Sequence, residues 1–454
     1  MALEILILAA GQGKRMRSRL PKVLHPLGGR PLLAHVVETA RALGPMKIFV
    51  VHGHGAEQVR EAFRSENIEW VLQAEQLGTA HAVMQAMSRV STDADVLLLY
   101  GDVPLVRVAT LKRLLQAAGD GLALLTADLD DPAAYGRVVR DGAGHVKRVV
   151  ETRDATPEER TIREINAGFY ALSARRLAAW LKRIDNRNAQ KEYYLTDLVG
   201  LAVGEGTPVT AVKAEAPSEV AGVNSKSELA QLERHYQKLV AEKLLESGVT
   251  LADPARIDVR GELVCGADVS IDVNCVFVGR VELGDDVRVG ANCILRNVKV
   301  AAGTEVLPFC HLEDSAIGER CRLGPYARLR PGTELAEDVH IGNFVEVKAS
   351  RLGAGAKANH LTYLGDTDVG ARVNVGAGTI TCNYDGVAKH RTVIEDDCFI
   401  GSDATLVAPV RIARGSYIGA GSTISEDTPP GQLTIARARQ VSIPSWKPPV
   451  KKKG

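Results

Sequence analysis

The chain has 454 residues, of which 45% are hydrophobic and only 4% aromatic. Such a length predicts two or three folded domains and excludes a single small one. The formal net charge is only +1, so no strong overall field exists to hold duplex nucleic acid or an anionic membrane surface.

The cysteines and the N-terminus indicate the compartment. The seven cysteines are spaced too widely for a Cys-x-x-Cys metal knuckle or a dense disulfide framework, which indicates a reducing compartment, the cytoplasm. The apolar stretch at the N-terminus is far shorter than the ~20 residues that span a bilayer, and it lacks the basic leader of a secretory signal. We expect a buried strand there and no membrane span.

From Leu3 to about Gly222, short aliphatic runs alternate with longer helical patterns. Continuous apolar strands separated by helices predict a mostly parallel sheet covered on both faces, which is a Rossmann-like α/β domain. Ligands of such domains bind beyond the carboxyl ends of the strands, so the residues after each run are the candidates for function. The clearest runs are Ile5–Leu8, Ile48–Val51 and Val96–Leu99.

A helical pattern separates this region from the rest of the chain. It starts at a capping box, Ser225 with Glu228, and ends at Ser247 and Gly248. We therefore predict an N-terminal domain over residues 1–224, a linker helix over residues 225–248 and a C-terminal domain over residues 249–454.

Beyond Asp253, aliphatic residues recur every six positions, usually followed by a small residue. A period of six is neither helical nor a simple alternation, and it is typical of a parallel β-helix of hexapeptide repeats. Three hexads make one coil, so the region from Arg256 to Arg437 predicts about ten coils. The period is lost between Thr381 and Phe399, where we expect an external loop that carries function. The recurring positions are Ile317, Leu323, Leu329, Leu335, Ile341, Val347, Ile400, Leu406, Ile412, Ile418 and Ile424.

A glycine loop, from Leu8 to Met16, directly follows the first strand. Glycines let backbone N–H groups approach a phosphate, and Lys14, Arg15 and Lys22 supply positive charge. Met16 stands where a dinucleotide fingerprint has its third glycine, and the glycine spacing is too short for a Walker A loop. The loop indicates a nucleotide site, with an ordinary strand-to-helix turn as the alternative.

Two further segments follow candidate strands. Gln73, in the first, has an amide that can read the edge of a base by paired donor and acceptor contacts. Asp102, in the second, is a natural Mg²⁺ ligand beside phosphates. The alternative for Asp102 is a turn former before Pro104.

These motifs resemble a known family. The stretch from Leu8 to Met16, followed by Pro21 and Lys22, resembles the signature of the sugar-1-phosphate nucleotidylyltransferases. With the six-residue repeat added, the whole chain resembles the bacterial bifunctional enzymes that join an N-acetylglucosamine-1-phosphate uridylyltransferase to a glucosamine-1-phosphate N-acetyltransferase. The resemblance implies synthesis of UDP-N-acetylglucosamine, for peptidoglycan and lipopolysaccharide, from glucosamine-1-phosphate, acetyl-CoA and UTP with Mg²⁺. Further segments that share it are Tyr135–Arg137, Glu151, Glu164–Asn166, Glu192–Asp197 and Gly222–Asn224.

By this resemblance, a uridylyl-transfer site lies at the glycine loop. Arg15 and Lys22 would neutralise the phosphates, and Asp102 with Asn224 would hold Mg²⁺. The phosphate of N-acetylglucosamine-1-phosphate would attack UTP in line, without a covalent intermediate or a general base, because it is already anionic. The residues implied to contact nucleotide and sugar are Leu8, Ala9, Ala10, Gly11, Lys22, Gln73, Gly78, Thr79, Tyr100, Gly101, Asp102, Gly136, Glu151, Asn166 and Asn224.

A second site is expected on the outside of the β-helix, since its dry core has no place for the polar and basic residues found there. Acetyl transfer from a thioester to an amine needs a base that takes the ammonium proton, and imidazole, with an ordinary pKa of about 6.5, suits that role. His360 is the candidate base, and Glu346 could orient it. A solvated face or an assembly surface is the alternative for these polar residues.

The resemblance assigns the remaining roles on the β-helix. It implies a left-handed helix and a homotrimer whose adjacent subunits build each acetyl-transfer site, two features that six-residue spacing does not define. The sugar phosphate would be held by Arg330, Lys348, Tyr363 and Asn374. Acetyl-CoA would contact Ala377, Asn383, Tyr384, Ser402, Ala420 and Arg437, of which Asn383 and Tyr384 could also orient the amino sugar.

Two other interpretations stay open. The chain could be a nucleotidylyltransferase for another sugar whose β-helix serves only assembly, but a base among phosphate ligands would then have no purpose. It could be a scaffold without activity, which predicts loss of Arg15, Lys22 or Asp102, and all three are present. The Pro- and Lys-rich end, residues 447–454, predicts a solvated tail.

Overall fold

The computed structural model describes residues 2–449. The chain forms two compact units that meet in sequence between Tyr236 and Gln237. This border lies within the long helix Lys226–Glu246. Of the predicted tail, residues 447–449 are exposed, and residues 450–454 lie outside the described part of the chain.

Strands and helices alternate along the first unit. The strands are β1 (Leu3–Ala9), β2 (Pro26–Leu27), β3 (Arg30–Pro31), β4 (Lys47–His52), β5 (Glu69–Leu72), β6 (Asp95–Tyr100), β7 (Leu122–Asp128), β8 (Arg137–Arg140), β9 (Val146–Val150), β10 (Glu164–Ser173) and β11 (Val209–Lys213). The helices are α1 (Leu32–Arg41), α2 (Ala56–Ala62), α3 (Thr79–Ala86), α4 (Val108–Ala118), α5 (Pro157–Arg160), α6 (Ala174–Leu181), α7 (Asp197–Gly204) and α8 (Lys226–Glu246). Short 3₁₀ helices span Lys14–Met16, Lys22–Leu24 and Pro217–Val220.

The main sheet of the first unit has the strand order β11-β7-β10-β6-β1-β4-β5. β1 lies in parallel between β4 and β6, while β10 is antiparallel to β6 and β7. β8 and β9 form an antiparallel pair attached to β10. The aliphatic side chains of the central strands are buried in two hydrophobic clusters, one on each face beneath helices. The predicted Rossmann-like domain with a mostly parallel sheet is confirmed.

α8 begins at the predicted capping box. The Glu228 N–H donates to Ser225 Oγ at 3.2 Å, and the Ser225 N–H donates to Glu228 Oε2 at 2.9 Å. Within the first unit, Leu232 of this helix packs in a cluster with Met16 and Leu27. This packing holds the start of α8 against the end of the glycine loop.

The second unit is a solenoid of short strands, whose neighbouring strands pair in parallel. One sheet contains Thr250–Leu251, Ser270–Ile271, Arg288–Val289, Glu305–Val306, Arg322–Leu323, His340–Asn343, Lys357–His360, Asn374–Val375, Phe399–Ile400, Tyr417–Ile418 and Leu433–Thr434. The other contains Ile257–Cys265, Cys275–Leu283, Ile294–Val300, His311–Ile317, Arg328–Leu329, Thr333–Leu335, Glu346–Lys348, Arg351–Leu352, Tyr363–Gly365, Thr367–Val369, Ile380–Cys382, Thr392–Ile394, Thr405–Val407, Val410–Ile412 and Thr423–Ile424.

Residues one coil apart stack in register. Leu312 pairs with Leu329, which in turn pairs with Val347 on the following coil. The six-residue positions predicted to form the core are buried, none of them more than 5% exposed. The hexapeptide β-helix is therefore confirmed, and its all-parallel coils are consistent with the left-handed form.

The external loop is shorter than predicted. We expected it between Thr381 and Phe399, but Ile380–Cys382 and Thr392–Ile394 are both strands of the solenoid. The excursion therefore covers residues 383–391, and an antiparallel bridge between Tyr384 and Lys389 closes it.

Candidate active sites

A cavity of about 510 Å³ lies where β1, β5 and β6 end and α3 begins. It is open beyond the carboxyl ends of the strands, the position where ligands bind in parallel sheets. Most of the residues predicted to contact the nucleotide line this cavity. They are Leu8, Ala9, Ala10, Gly11, Lys22, Gln73, Gly78, Thr79, Tyr100, Asp102 and Asn224.

The glycine loop forms one wall of this cavity. A β-carbon at Gly11 would meet no atom within 4 Å, so the backbone there is open to an approaching ligand. Gly13 has φ of +60°, and a β-carbon there would lie 2.8 Å from the β-carbon of Lys22. The loop continues into the 3₁₀ helix Lys14–Met16. Gly13 thus permits the turn that brings Lys22 against the loop.

Lys22 bridges the two predicted metal ligands. Its ammonium forms an ion pair with the Asp102 carboxylate and donates to Asn224 Oδ1 at 3.2 Å. The Val223 N–H donates to the Asp102 carbonyl at 3.0 Å, which joins the two distant segments. Both charged side chains are nearly buried, with 13% and 14% of their surface exposed.

The oxygen atoms around this ammonium fit a Mg²⁺ ion. A carboxylate and an amide carbonyl are hard ligands of the kind that Mg²⁺ prefers, and Mg²⁺ usually takes its other ligands from water and phosphate. The positively charged Nζ of Lys22 already lies between Asp102 and Asn224. Within residues 2–449, no group of three or more His, Cys, Asp or Glu side chains is placed to hold a metal alone.

Gln73 and Thr79 are held by their own loop. The Gln73 amide is 3% exposed, donates to the Gly78 carbonyl at 3.2 Å and lies 3.0 Å from Nδ1 of His81. The Leu195 N–H donates to Thr79 Oγ1 at 3.0 Å. These contacts fix both polar side chains at the wall of the cavity.

The three predicted sugar contacts lie together, deeper in the same unit. The Asn166 N–H donates to the Gly136 carbonyl at 2.9 Å, and a β-carbon at Gly136 would lie 3.7 Å from Glu151 Oε1. Thr196 donates its hydroxyl to Glu151 at 3.2 Å. Burial raises the pKa of the Glu151 carboxyl, with nearby carboxylates adding to the effect. Burial likewise raises the pKa of Tyr100.

Besides the three sugar contacts, two further predicted residues, Arg15 and Gly101, lie outside the lining of the 510 Å³ cavity. Arg15 lines a second cavity of about 630 Å³, which also contains Asn224 and Glu228. Gly101 is buried, where a β-carbon would lie 3.1 Å from that of Ala9. Asn224 lines both cavities, so the cavity of Arg15 adjoins the first one at this residue.

On the solenoid, His360 is exposed at the end of the strand Lys357–His360. Its Nδ1 lies 2.7 Å from Oδ1 of Asn343, one coil earlier. The expectation that Glu346 orients His360 is wrong in this structure, because Glu346 Oε1 accepts a hydrogen bond from Arg330 Nη1 at 2.8 Å. The arginine is the stronger partner for the carboxylate, since both are charged.

Positive charge collects around Lys348, in the second sheet of the solenoid. The Lys389 ammonium, within hydrogen-bond reach of Lys348, lowers the pKa of Lys348, and desolvation and Arg330 act in the same direction. The Asp366 carboxylate opposes this effect. A cluster of ammonium and guanidinium groups that repel one another is suited to bind an anion such as a sugar phosphate.

Tyr363 and Asn383 meet above Gly365. A β-carbon at Gly365 would lie 2.4 Å from the Tyr363 hydroxyl and 2.7 Å from Asn383 Nδ2. Asn383 is only 7% exposed, and its amide donates to the Asp366 carboxylate. The expectation that all the polar residues of the solenoid face outward is therefore wrong for Asn383.

The residues predicted to contact acetyl-CoA follow successive coils. The Ala377 carbonyl accepts from the Asp403 N–H at 2.7 Å, and the Ser402 carbonyl accepts from the Gly421 N–H at 2.8 Å. The Ala420 carbonyl accepts from Arg437 Nη1 at 2.5 Å. Ala377, Ser402, Ala420 and Arg437 thus form a track along one edge, whereas Tyr384 lies in the external loop and Asn374 is the register partner of Lys357.

Comparison with known proteins matches both units. The family model of the MobA-like NTP transferase domain matches residues 5–193. The model of the GMPPB C-terminal domain matches residues 259–354, and that of the bacterial transferase hexapeptide, six repeats, matches residues 391–426.

Relatives over the full length decide the family. Bifunctional protein GlmU of Aromatoleum aromaticum is 60% identical over 453 residues, covering 99% of both chains. Bifunctional protein GlmU of Chromobacterium violaceum is 59% identical and covers 100% of both chains. The chain belongs to the family of bifunctional GlmU proteins. The predicted pair of activities, uridylyl transfer in the N-terminal part and acetyl transfer in the hexapeptide part, is confirmed at the level of this family.

Membership in the GlmU family also removes the two alternatives, the assembly-only β-helix and the inactive scaffold.

The sequence analysis missed several residues at both sites. Gln12, Gln76 and Glu192 line the first cavity, and the Gln12 amide donates to Gln76 Oε1 at 3.2 Å. Asn343 was missed at the second site. Gln12 lies within the glycine loop and Glu192 within a segment that shares the family resemblance, but the sequence pattern does not show that these side chains face a site.

Proposed function

We propose that the 510 Å³ cavity is the site where uridylyl is transferred from UTP to N-acetylglucosamine-1-phosphate. We propose that the solenoid face around His360 is the site where glucosamine-1-phosphate is acetylated by acetyl-CoA. One observation carries the first assignment: eleven residues, drawn from seven separate stretches of sequence between Leu8 and Asn224, line one cavity at the strand ends. Residues 1–224 would carry the first reaction and residues 249–454 the second, joined by the helix from 225 to 248.

In uridylyl transfer, the glycine loop would hold the phosphates of UTP with its open backbone at Gly11. Asp102 and Asn224 would hold Mg²⁺, which when bound neutralises charge on the phosphate oxygens. The Lys22 ammonium is positioned to pair with a phosphate at the same place. Arg15, in the adjoining cavity that shares Asn224, would pair with the leaving pyrophosphate.

The chemistry at this site then follows from positioning. An oxygen of the sugar phosphate attacks the α-phosphorus of UTP, a P–O bond forms, and the bond to the β-phosphate breaks with its electron pair on pyrophosphate. The nucleophile is already an anion, so no base is required. Gln73, Gly78 and Thr79 would orient the uracil, while Gly136, Glu151 and Asn166 would orient the sugar.

In acetyl transfer, the cation cluster of Arg330, Lys348 and Lys389 would hold the sugar phosphate, with Tyr363 and Asn374 beside it. His360 takes a proton from the ammonium, the amine nitrogen bonds to the acetyl carbon, and the C–S bond breaks to release CoA. The nitrogen loses its second proton as the amide forms, and this proton neutralises the leaving thiolate of CoA.

The group of predicted sugar contacts around Glu151 supports a prediction for Glu151→Gln. Because the folded state holds the Glu151 proton more tightly than the unfolded chain, ionisation of this carboxyl costs folding stability once the pH rises above its folded-state pKa. Glutamine carries no charge at any pH and keeps the oxygen that accepts from Thr196. We expect the unliganded variant to melt at a higher temperature than wild type at pH 8, by a smaller margin at pH 5, with the KM for N-acetylglucosamine-1-phosphate raised about tenfold or more.

Calorimetry at the two pH values and steady-state kinetics check this result. Glu57→Gln, which changes an exposed glutamate of α2, is the matched control and should alter neither the melting temperature nor the KM. A Glu151→Gln variant less stable than wild type at pH 8 would contradict the sign of the argument.

Copies of this chain would assemble through the solenoid as a homotrimer. The rings of Phe309, Tyr326 and Phe344 stack along one edge with centroids 4.9 and 5.2 Å apart, and each residue is 46–56% exposed. Exposed apolar patches of this kind mark contact surfaces. Phe344 adjoins Asn343, so a subunit packed there would also cover the site of His360. Sedimentation equilibrium would measure the stoichiometry.

The compartment we propose is the cytoplasm. All seven cysteines are free, which suits a reducing environment. Within residues 2–449, none of the helices combines the length and the apolar character that a membrane crossing requires.

The direct test is to incubate the purified chain with glucosamine-1-phosphate, acetyl-CoA, UTP and Mg²⁺, and to follow CoA and pyrophosphate separately. We expect CoA release without UTP, and pyrophosphate release only after acetylated sugar phosphate has formed. Chelation with EDTA should stop pyrophosphate release and leave CoA release unchanged. Pyrophosphate release at full rate in EDTA would contradict the metal site.

A further inference from the structure

Asn343 lies beside the candidate base on the neighbouring coil. The two residues are register partners, 17 positions apart, and Nδ1 of His360 lies 2.7 Å from Oδ1 of Asn343. We propose that Asn343 is a positioning residue for acetyl transfer: its amide oxygen accepts the Nδ1 hydrogen of His360, so that Nε2 carries the lone pair that receives the amine proton. This inference rests on the proposed function of His360 as the base.

The chemistry of the two groups supports this role. An amide oxygen can only accept a hydrogen bond, so its pairing with Nδ1 selects the imidazole tautomer that has hydrogen on Nδ1. The other tautomer has hydrogen on Nε2 and could not take a proton there. Once Nε2 is protonated, the ring is charged, and the hydrogen bond to the amide oxygen becomes stronger. The amide therefore stabilises the product of proton transfer without adding a charge of its own.

The backbone around the pair holds both side chains in register. The Leu361 N–H donates to the Asn343 carbonyl at 3.0 Å. A β-carbon at Gly342 would lie 1.9 Å from the Asn359 carbonyl oxygen, so only glycine permits the strands to approach this closely. The two coils are thus locked together one residue away from the side chains that form the hydrogen bond.

Glu346 is the other candidate for orienting the His360 imidazole, but in the structure its carboxylate contacts a different residue. Its carboxylate accepts from Arg330 at 2.8 Å. Its register partner on the next coil is Tyr363, in the sheet that does not contain His360. Glu346 thus acts on the phosphate-binding arginine, so its loss should change sugar phosphate binding and leave proton transfer unchanged.

The test measures CoA release by the full-length chain as a function of pH. We expect Asn343→Ala to lower kcat about 10- to 100-fold with the KM for glucosamine-1-phosphate within twofold of wild type. Asn343→Asp keeps an acceptor and adds a negative charge that favours the imidazolium, so it should be more active than Asn343→Ala and move the acid limb of the kcat profile to higher pH. Glu346→Gln should raise the KM and leave the acid limb in place.

The other titratable groups on the adjoining strands, His340, Lys357 and Glu346, are unchanged in both Asn343 variants. Thermal unfolding followed by circular dichroism reports folding of the solenoid in each variant. If Asn343→Ala and Asn343→Asp both reproduce the wild-type kcat profile while His360→Ala is inactive, the inference is overturned. If His360→Ala itself acetylates normally, the proposed function fails instead. Should Asn343→Ala misfold, the isosteric Asn343→Asp decides by whether its acid limb moves.

Discussion

Replacing Asp102 by alanine is expected to lower the kcat of uridylyl transfer about 10³-fold, while N-acetylation stays within twofold of wild type. The Asp102 carboxylate holds the Lys22 ammonium and lies with Asn224 at the wall of the 510 Å³ cavity. Alanine removes the charged oxygen ligand proposed for Mg²⁺ and leaves the nearly buried Lys22 without its counter-charge. Separate assays of pyrophosphate and CoA release measure the two effects.

Asp93→Ala is the matched control for this substitution. Asp93 pairs with Arg175 at the surface, where both side chains are 80% exposed, and such a pair contributes little. Both activities of this control should stay within twofold of wild type. Asp102→Asn keeps an oxygen but loses the charge, so it should retain more activity than alanine and require more Mg²⁺. Equal loss of both reactions in Asp102→Ala would mean that the two sites are not independent.

The fold could be predicted because two different periods run along the chain. Continuous aliphatic strands such as β1 and β6 are buried on both faces, and the sequence shows this directly. In the solenoid, Leu329 and Val347 point to the core at every sixth position and pair across coils. Both patterns depend on residue type alone. The antiparallel β10 and the short closure of the external loop depend on long-range pairing, which the local pattern does not contain.

The first site could be predicted in outline because parallel strands end at one edge. Gln73 and Asp102 follow β5 and β6, and the structure brings them to one cavity. Gln12 and Gln76 could not be found this way. Their hydrogen bond joins two loops 64 residues apart, and a local sequence pattern does not contain a contact of that kind.

The six-residue period of the sequence is not sufficient to predict the hydrogen-bond partner of His360. A uniform coil of three hexads would place Gly342 beside His360, but one five-residue step shortens this coil to 17 positions and brings Asn343 there instead. The same 17-residue offset joins Asp366 to Asn383. Since a shift of one residue exchanges a glycine for an amide, the hydrogen bond at the base could be assigned only from the observed register.

Replacing His360 by alanine is expected to lower the kcat of N-acetylation by about 10²- to 10⁴-fold near neutral pH, with uridylyl transfer unchanged. The amine of the sugar phosphate is a nucleophile only after it loses a proton, and the variant has no imidazole to receive it. The residual rate should therefore rise with pH until the amine is deprotonated in solution, so that the deficit shrinks in alkaline buffer. Profiles of CoA release from pH 6 to pH 9 measure this recovery.

His340→Ala is the control for the loss of an imidazole from the same sheet. His340 lies in the strand of Asn343 and is the register partner of Lys357, three residues from His360. Burial lowers the pKa of His340, which favours the neutral ring. Replacing it by alanine therefore removes an imidazole without removing a positive charge from the acetyl-transfer site. Acetylation by this control should stay within threefold of wild type. If His360→Ala acetylates as fast as His340→Ala at pH 7, or if its deficit is the same at every pH, then proton removal from the amine is performed by another group.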